Sequence, residues 1–175
     1  MQMKKTLTIL LCAAALAVAQ IPKRAPGFCL SDTRAQWHDL ADYRGKVVLI
    51  EFMQTTCPHC AAFTDVLAGL NKKYGDKLQI LSIALPQDTM PMLIQYANGH
   101  KAAWPHLYDM GQVAFSYLRQ PSVTFPTVFL VDANGMIVNH WEYGGFTQSI
   151  FDGTQLSREI DRLIGSGGSG AAKKK

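Results

Sequence analysis

The spacing of apolar residues changes several times along the chain, and each change marks an element. Lys46-Val47-Val48-Leu49-Ile50-Glu51-Phe52 is a near-continuous β-branched and apolar run, the pattern of a strand buried on both faces. Beyond Cys57, Phe63, Val66, Leu67, Leu70 and Tyr74 recur at three- and four-residue steps, one apolar stripe of a helix. Pro58 suits the first position of that helix and Gly75 its stop. Leu78 to Leu85 reads as a second buried strand. Thr89 and Pro91 open a helix through Leu93, Tyr96 and Ala97 that ends at Asn98-Gly99, and a shorter helix is predicted over Gln112 to Leu118. Thr127 to Val131 is a strand, Asn134-Gly135 a strong hairpin signal, and Met136 to Tyr143 the returning partner. Leu156, Ile160, Leu163 and Ile164 give a last helix its buried stripe. Near the start, Pro22 to Pro26 reads as a loop. Phe28-Cys29-Leu30 and Gln36 to Leu40 read as short strands, closed by the turn Asp42-Tyr43-Arg44-Gly45. Strand, helix, strand, helix, hairpin, helix predicts an α/β domain, with a central mixed sheet flanked by helices on both faces.

Composition bounds this domain. The chain has 175 residues, 48% of them apolar and 17% charged, enough for one packed core. The net charge of +4 comes from the ends: without Lys4, Lys5, Lys173, Lys174 and Lys175, 12 basic residues face 13 acidic ones. No basic stripe interleaved with aromatics is present, so nucleic acid is not an expected partner. Residues 1–19 read as a secretory signal: Lys4 and Lys5, then apolar Thr6 to Ala17, then Ala17-Val18-Ala19 as a cleavage site before Gln20. The rival reading is an uncleaved membrane anchor. Cys12 lies in that leader, preceded by Leu11 rather than the small residue a lipoprotein signal wants. The folded domain is expected over residues 20–164. Residues 165–175, Gly and Ser followed by two alanines and three lysines, are expected to form a flexible tail.

Removal of the leader leaves Cys29, Cys57 and Cys60, an odd number that argues for one special pair and a bystander. Cys29, on a short apolar strand, reads as a small buried residue. Cys57-Pro58-His59-Cys60 places two thiols at a helix start, where free backbone N–H groups and the dipole favour an anion. The thiolate is the attacking species, and such positions lower thiol pKa values to about 3.5–7.5. Cys57 is the expected nucleophile, and Cys60, one turn in, the thiol that resolves the mixed disulfide. His59 between them would stabilise a thiolate when protonated, against a plainer role as a solvent-facing linker.

Glu51 is out of place in its apolar strand, six residues before Cys57. It either reaches solvent or lies buried near the sulfurs, where it could take the proton of Cys60. Pro126 in Phe125-Pro126-Thr127 reads by itself as a turn proline. Structural zinc would need about four ligands, and beyond the pair only Cys29 and the scattered His38, His100, His106 and His140 remain.

Taken together, these residues resemble the thioredoxin superfamily and, within it, the exported TlpA-like (ResA-like) thiol–disulfide oxidoreductases. The likeness runs from about Ala25 to Ile164. It rests on Ala25-Pro26-Gly27-Phe28, Asp42 to Leu49, Cys57-Pro58-His59-Cys60, Trp104-Pro105-His106-Leu107-Tyr108-Asp109, and Phe125 to Asp132 with Asn134-Gly135. It implies a thioredoxin fold with an extra N-terminal β-hairpin and a helical insertion before the strand that follows the proline. It also implies that Pro126 is a cis-proline facing the active site. Phe125 would offer backbone to a substrate strand, with Thr56 beside it, and Glu51 would be the family's buried acid. The chain departs from the pattern at Thr56, where tryptophan is usual, and at Met53, where an aromatic is common. A Pro-His interior is more typical of disulfide-forming relatives, which leaves the direction of electron flow open.

The expected function is therefore thiol–disulfide exchange on exported, periplasmic proteins, without metal or organic cofactor. The partners would be protein thiols and disulfides of the cell envelope and an upstream redox protein, and a monomer is expected. Two alternatives share the fold. A peroxiredoxin-like peroxidase would want threonine where Gln54 stands and a proline in the preceding strand. A copper(I) carrier would use Cys57, Cys60 and His140, but carriers of this fold space their cysteines by three residues.

Overall fold

The computed structural model describes residues 23–119 and 124–167. The expected leader and the part of the expected tail beyond residue 167 lie outside the described residues.

The long apolar run forms β4 (Val47–Met53), every residue of it buried. It lies between β5 (Leu78–Ala84), paired parallel, and β7 (Thr127–Val131), paired antiparallel. Beyond β7 comes β8 (Met136–Glu142), joined to it through Asn134-Gly135, where Gly135 holds φ +74°. A two-residue β1 (Lys23–Arg24) closes that edge, and β6 (His106–Tyr108) closes the other, parallel to β5. The order across the sheet is β1-β8-β7-β4-β5-β6. The expected N-terminal hairpin is β2 (Cys29–Ser31) against β3 (Trp37–Asp39).

Because strand side chains alternate, β4 supplies both cores. Val47 and Leu49 face the layer of α1 (Pro58–Tyr74) and α5 (Thr154–Gly167), meeting Phe63, Leu67, Leu70, Leu156 and Ile160. Val48, Ile50 and Phe52 face the opposite layer, meeting Tyr117 of α3 (Gln112–Leu118) and the N-terminal segment through Phe28 and Leu40. Glu51 shares the parity of Val47 and Leu49, so its carboxyl lies beneath α1. The last member of that face, Met53, packs with Cys60, Ala84 and Leu93 of α2 (Met90–Gly99). Thr89 caps α2 as expected, its Oγ1 accepting Met92 N–H at 3.5 Å. This is the thioredoxin fold, with the hairpin and the helical insertion α3 where they were expected.

Three elements escaped the sequence reading. β1 falls inside the expected loop and carries two exposed charged residues, so it forms through backbone pairing with Met136 and Ile137 rather than burial. β6 and α4 (Gln148–Phe151) span only three and four residues, too short for a period to show. The final helix also continues to Gly167, past the expected boundary at residue 164. Cys29 corrects a further expectation, for it is exposed. Phe28 and Leu30 pack into the core on either side of it, and alternation turns Cys29 outward.

Leu67 is fully buried between α1 and the sheet. Leu67→Ala is expected to cost about 2–5 kcal/mol in urea unfolding, whereas Lys72→Ala, exposed on the same helix, stays within about 0.5 kcal/mol of wild type.

Candidate active site

Cys57 is the N-cap of α1, with extended backbone (φ −85°, ψ 116°) and Pro58 in the first turn. Its Sγ accepts the Cys60 N–H at 3.2 Å, so one of the free amides of the helix start points at the sulfur. The loop before it is pinned twice. Cys57 N–H donates to Gln54 C=O at 3.1 Å, and buried Asp88 accepts Thr55 N–H at 3.0 Å and Thr55 Oγ1–H at 2.5 Å. The Phe125–Pro126 peptide is cis, and the Cys57 thiol donates to Phe125 C=O at 3.6 Å. The expected pair and the expected proline thus meet at one sulfur. Cys57 is half-buried and Cys60 buried. Burial, then the Cys57 contact, and the nearby Glu51 charge hold the Cys60 thiol far above the usual range. The half-buried member is thus the more accessible of the two sulfurs, and the inner one is shielded. Thr64 anchors the helix turn below, donating to Cys60 C=O at 3.0 Å and sharing a 2.7 Å bond with Tyr96 OH.

Glu51 is fully buried, the second of the two placements left open. Ser82 Oγ–H donates to its Oε2 at 2.5 Å, and Trp104 Nε1–H donates to Ser82 Oγ at 2.9 Å. Oε1 has no partner among the described residues. Burial pushes the carboxyl up to about 7, against the opposing pull of the Ser82 bond.

His59 is exposed and lies flat on Tyr143, ring centres 4.1 Å apart and planes within 19°. Tyr143 is itself held edge-on by Phe151 at 5.4 Å and by its N–H to Pro126 C=O at 3.0 Å. Thr56 is exposed beside the first cysteine. His140 stacks on Phe129 instead of joining the thiols, and no group of three or more potential ligands is gathered among the described residues. The copper alternative loses its third ligand.

Ser82, Trp104, Tyr143 and Asp88 were not foreseen as site residues. Ser82 had one legible signal, a hydroxyl in an apolar run parallel to the run that carries Glu51. Tyr143, more than eighty residues from His59, had none.

This fold, with two thiols at a helix mouth facing a cis-proline, defines a thiol–disulfide oxidoreductase. Residues 21–140 match the AhpC/TSA family, and the chain belongs to it. It is 29% identical over 146 residues to the thiol-disulfide oxidoreductase ResA of Geobacillus kaustophilus, covering 81% of this chain and 75% of that protein. It is 31% identical to ResA of Bacillus anthracis over 68% of each chain. Among solved structures, a putative thiol:disulfide interchange protein DsbE from Chlorobium tepidum superposes with a TM-score of 0.70 at 21% identity, over 82% of this chain and 96% of that one.

Glu51 has a stability consequence. Its folded pKa, about 7, lies above the ordinary value of 4.5, so between these values the folded state holds a proton that the unfolded chain has lost. Stability of the reduced protein must then fall as pH rises through that window. Glu51→Gln is expected to match wild type in urea unfolding below pH ~4 and to exceed it above pH ~7 by on the order of 3 kcal/mol, each pKa unit being worth ~1.4 kcal/mol.

Proposed function

We propose that the chain exchanges disulfides with exported proteins of the cell envelope, with Cys57 attacking, Cys60 resolving and Glu51 accepting the resolving proton. The observation that carries this reading is the environment of Cys57 Sγ. It accepts an amide N–H at the helix mouth and lies 3.6 Å from the carbonyl that precedes the cis-proline. An extended substrate segment laid along Phe125 would bring its own sulfur to that atom, with Thr56 and Pro126 lining the approach.

The Cys57 thiolate forms a bond to one substrate sulfur as the substrate S–S bond breaks, and the departing sulfur leaves as a thiolate that takes a proton from solvent. Glu51 then accepts the Cys60 proton. The new Cys60 thiolate bonds to Cys57, and the second substrate sulfur departs with the electron pair. The substrate gains two electrons and the Cys57–Cys60 pair loses them. In the opposite direction the same steps deliver a disulfide. His59, two residues on from the first sulfur and stacked on Tyr143, would when protonated favour the thiolate form and hence the reduced pair.

Export rests on the Lys4-Lys5 leader with its apolar core.

Cys57→Ser should abolish exchange, and Cys60→Ser should trap the partner as a mixed disulfide visible by mass spectrometry. Peroxide consumption without protein-disulfide exchange would reject this reading for a peroxidase. His59→Ala should lower the reduction potential of the pair, by on the order of tens of millivolts. The wild-type potential assigns direction: about −270 mV matches a reductase and about −120 mV a disulfide donor.

A further inference from the structure

Glu51, Ser82 and His106 occupy one register row across β4, β5 and β6, all buried beneath α1 and α2. Trp104, just before β6, reaches back to the middle of that row. An indole N–H can only donate, and a serine hydroxyl has a single hydrogen. Trp104 Nε1–H occupies a lone pair of Ser82 Oγ at 2.9 Å, and the hydroxyl hydrogen then has one acceptor in reach, Glu51 Oε2 at 2.5 Å. The polarity of the relay is fixed by its donor-only end: indole to hydroxyl to carboxylate. Oε2 is thereby committed as an acceptor. Oε1, buried and unpartnered among the described residues, is the oxygen left to carry a proton.

We propose that Ser82 and Trp104 are positioning residues for resolution, fixing the Glu51 carboxyl so that Oε1 alone takes the proton of Cys60 and setting the pH at which it does so. The proposal rests on the role given to Glu51 above. Hydrogen bonds to a carboxylate favour its charged form. The relay therefore opposes the burial that would otherwise keep Glu51 protonated and useless as a base at neutral pH.

The other titratable groups around Glu51 do not compete for this assignment. From α1 come Cys57, which carries no proton in the mixed disulfide, and Cys60, whose proton is the one transferred. From α2 comes the Tyr96 hydroxyl, whose pKa burial raises. From β6 comes His106, kept neutral by burial, with a pKa lowered to about 4 and its Nδ1 3.1 Å from Trp104 C=O.

The test is the pH dependence of resolution. In a Cys29→Ser background, which removes the exposed third thiol, reduced protein is mixed with dithiobis(nitrobenzoate). Release of the second nitrothiobenzoate is then followed by stopped flow from pH 5 to 9. Wild type should show a midpoint set by Glu51. Ser82→Ala should move that midpoint upward by about one pH unit, as expected for loss of a buried hydrogen bond to a charged group. Resolution at neutral pH should slow up to tenfold in proportion. Ser82→Thr, which keeps the hydroxyl, should restore the wild-type midpoint. Trp104→Phe should shift it in the same direction by less, and should add nothing in the Ser82→Ala background, because the indole acts through the hydroxyl. A merely structural role for either residue would change the unfolding midpoint but leave the pH midpoint in place.

Two failures are distinguishable. If Glu51→Gln keeps the wild-type pH profile, the acid is not the base and the underlying reading falls. If Glu51→Gln flattens the profile while Ser82→Ala leaves the midpoint unmoved, or the two relay variants shift it additively, the relay is overturned and Glu51 stands.

Discussion

The N–H of Cys60 points at the sulfur of Cys57, and most of the rest of the molecule exists to keep it there. That contact needs an N-cap whose side chain is a thiol, a helix that begins in the next residue, and a loop that cannot swing away. Pro58 starts the helix because its missing N–H costs nothing in the first turn. Asp88 then pins the loop through two hydrogen bonds to Thr55. Behind it, β4 is buried on both faces, so the strand that carries the loop has no freedom to shift. Sheet, cap and loop therefore act on one sulfur.

Opposite demands fall on the two cysteines. In the proposed exchange the first would meet a partner, and the second would stay hidden until one is bound. α1 meets both demands by its geometry: position N-cap lies at the rim, and three residues later the side chain has turned under Met53 and Leu93. A hidden thiol needs an acceptor for its proton, and in the proposed exchange the carboxyl of the strand beneath the same helix would supply one. On the proposed reading, Glu51 is the chemical counterpart of Cys60's burial.

Much of this was legible in the residues, and the division is physical. β4, β5, α1, α2 and the β7–β8 hairpin were readable because each runs long enough for a period to repeat, or carries a cap or turn with its own chemistry. The motif Cys57 to Cys60 was readable because its function depends on local geometry. The cis state of Pro126 came only through likeness, since an X-Pro sequence by itself does not choose the isomer. Glu51 was visible as an anomaly but its environment was not, because Ser82 and Trp104 reach it across strands 31 and 53 residues away. Cys29 was misread for a related reason. A three-residue strand gives no parity until its neighbours' burial is known, and Phe28 and Leu30 had already claimed the inside.

That outward cysteine has a practical bearing. A thiol facing solvent on the N-terminal hairpin reacts with labels whether the working pair is open or closed. Counts of accessible sulfhydryls on this protein thus carry a constant contribution from Cys29. A dye or spin probe placed there would ride on a rigid two-stranded element, reporting the tumbling of the whole body and, by changes in its immediate surroundings, the arrival of anything large on that side.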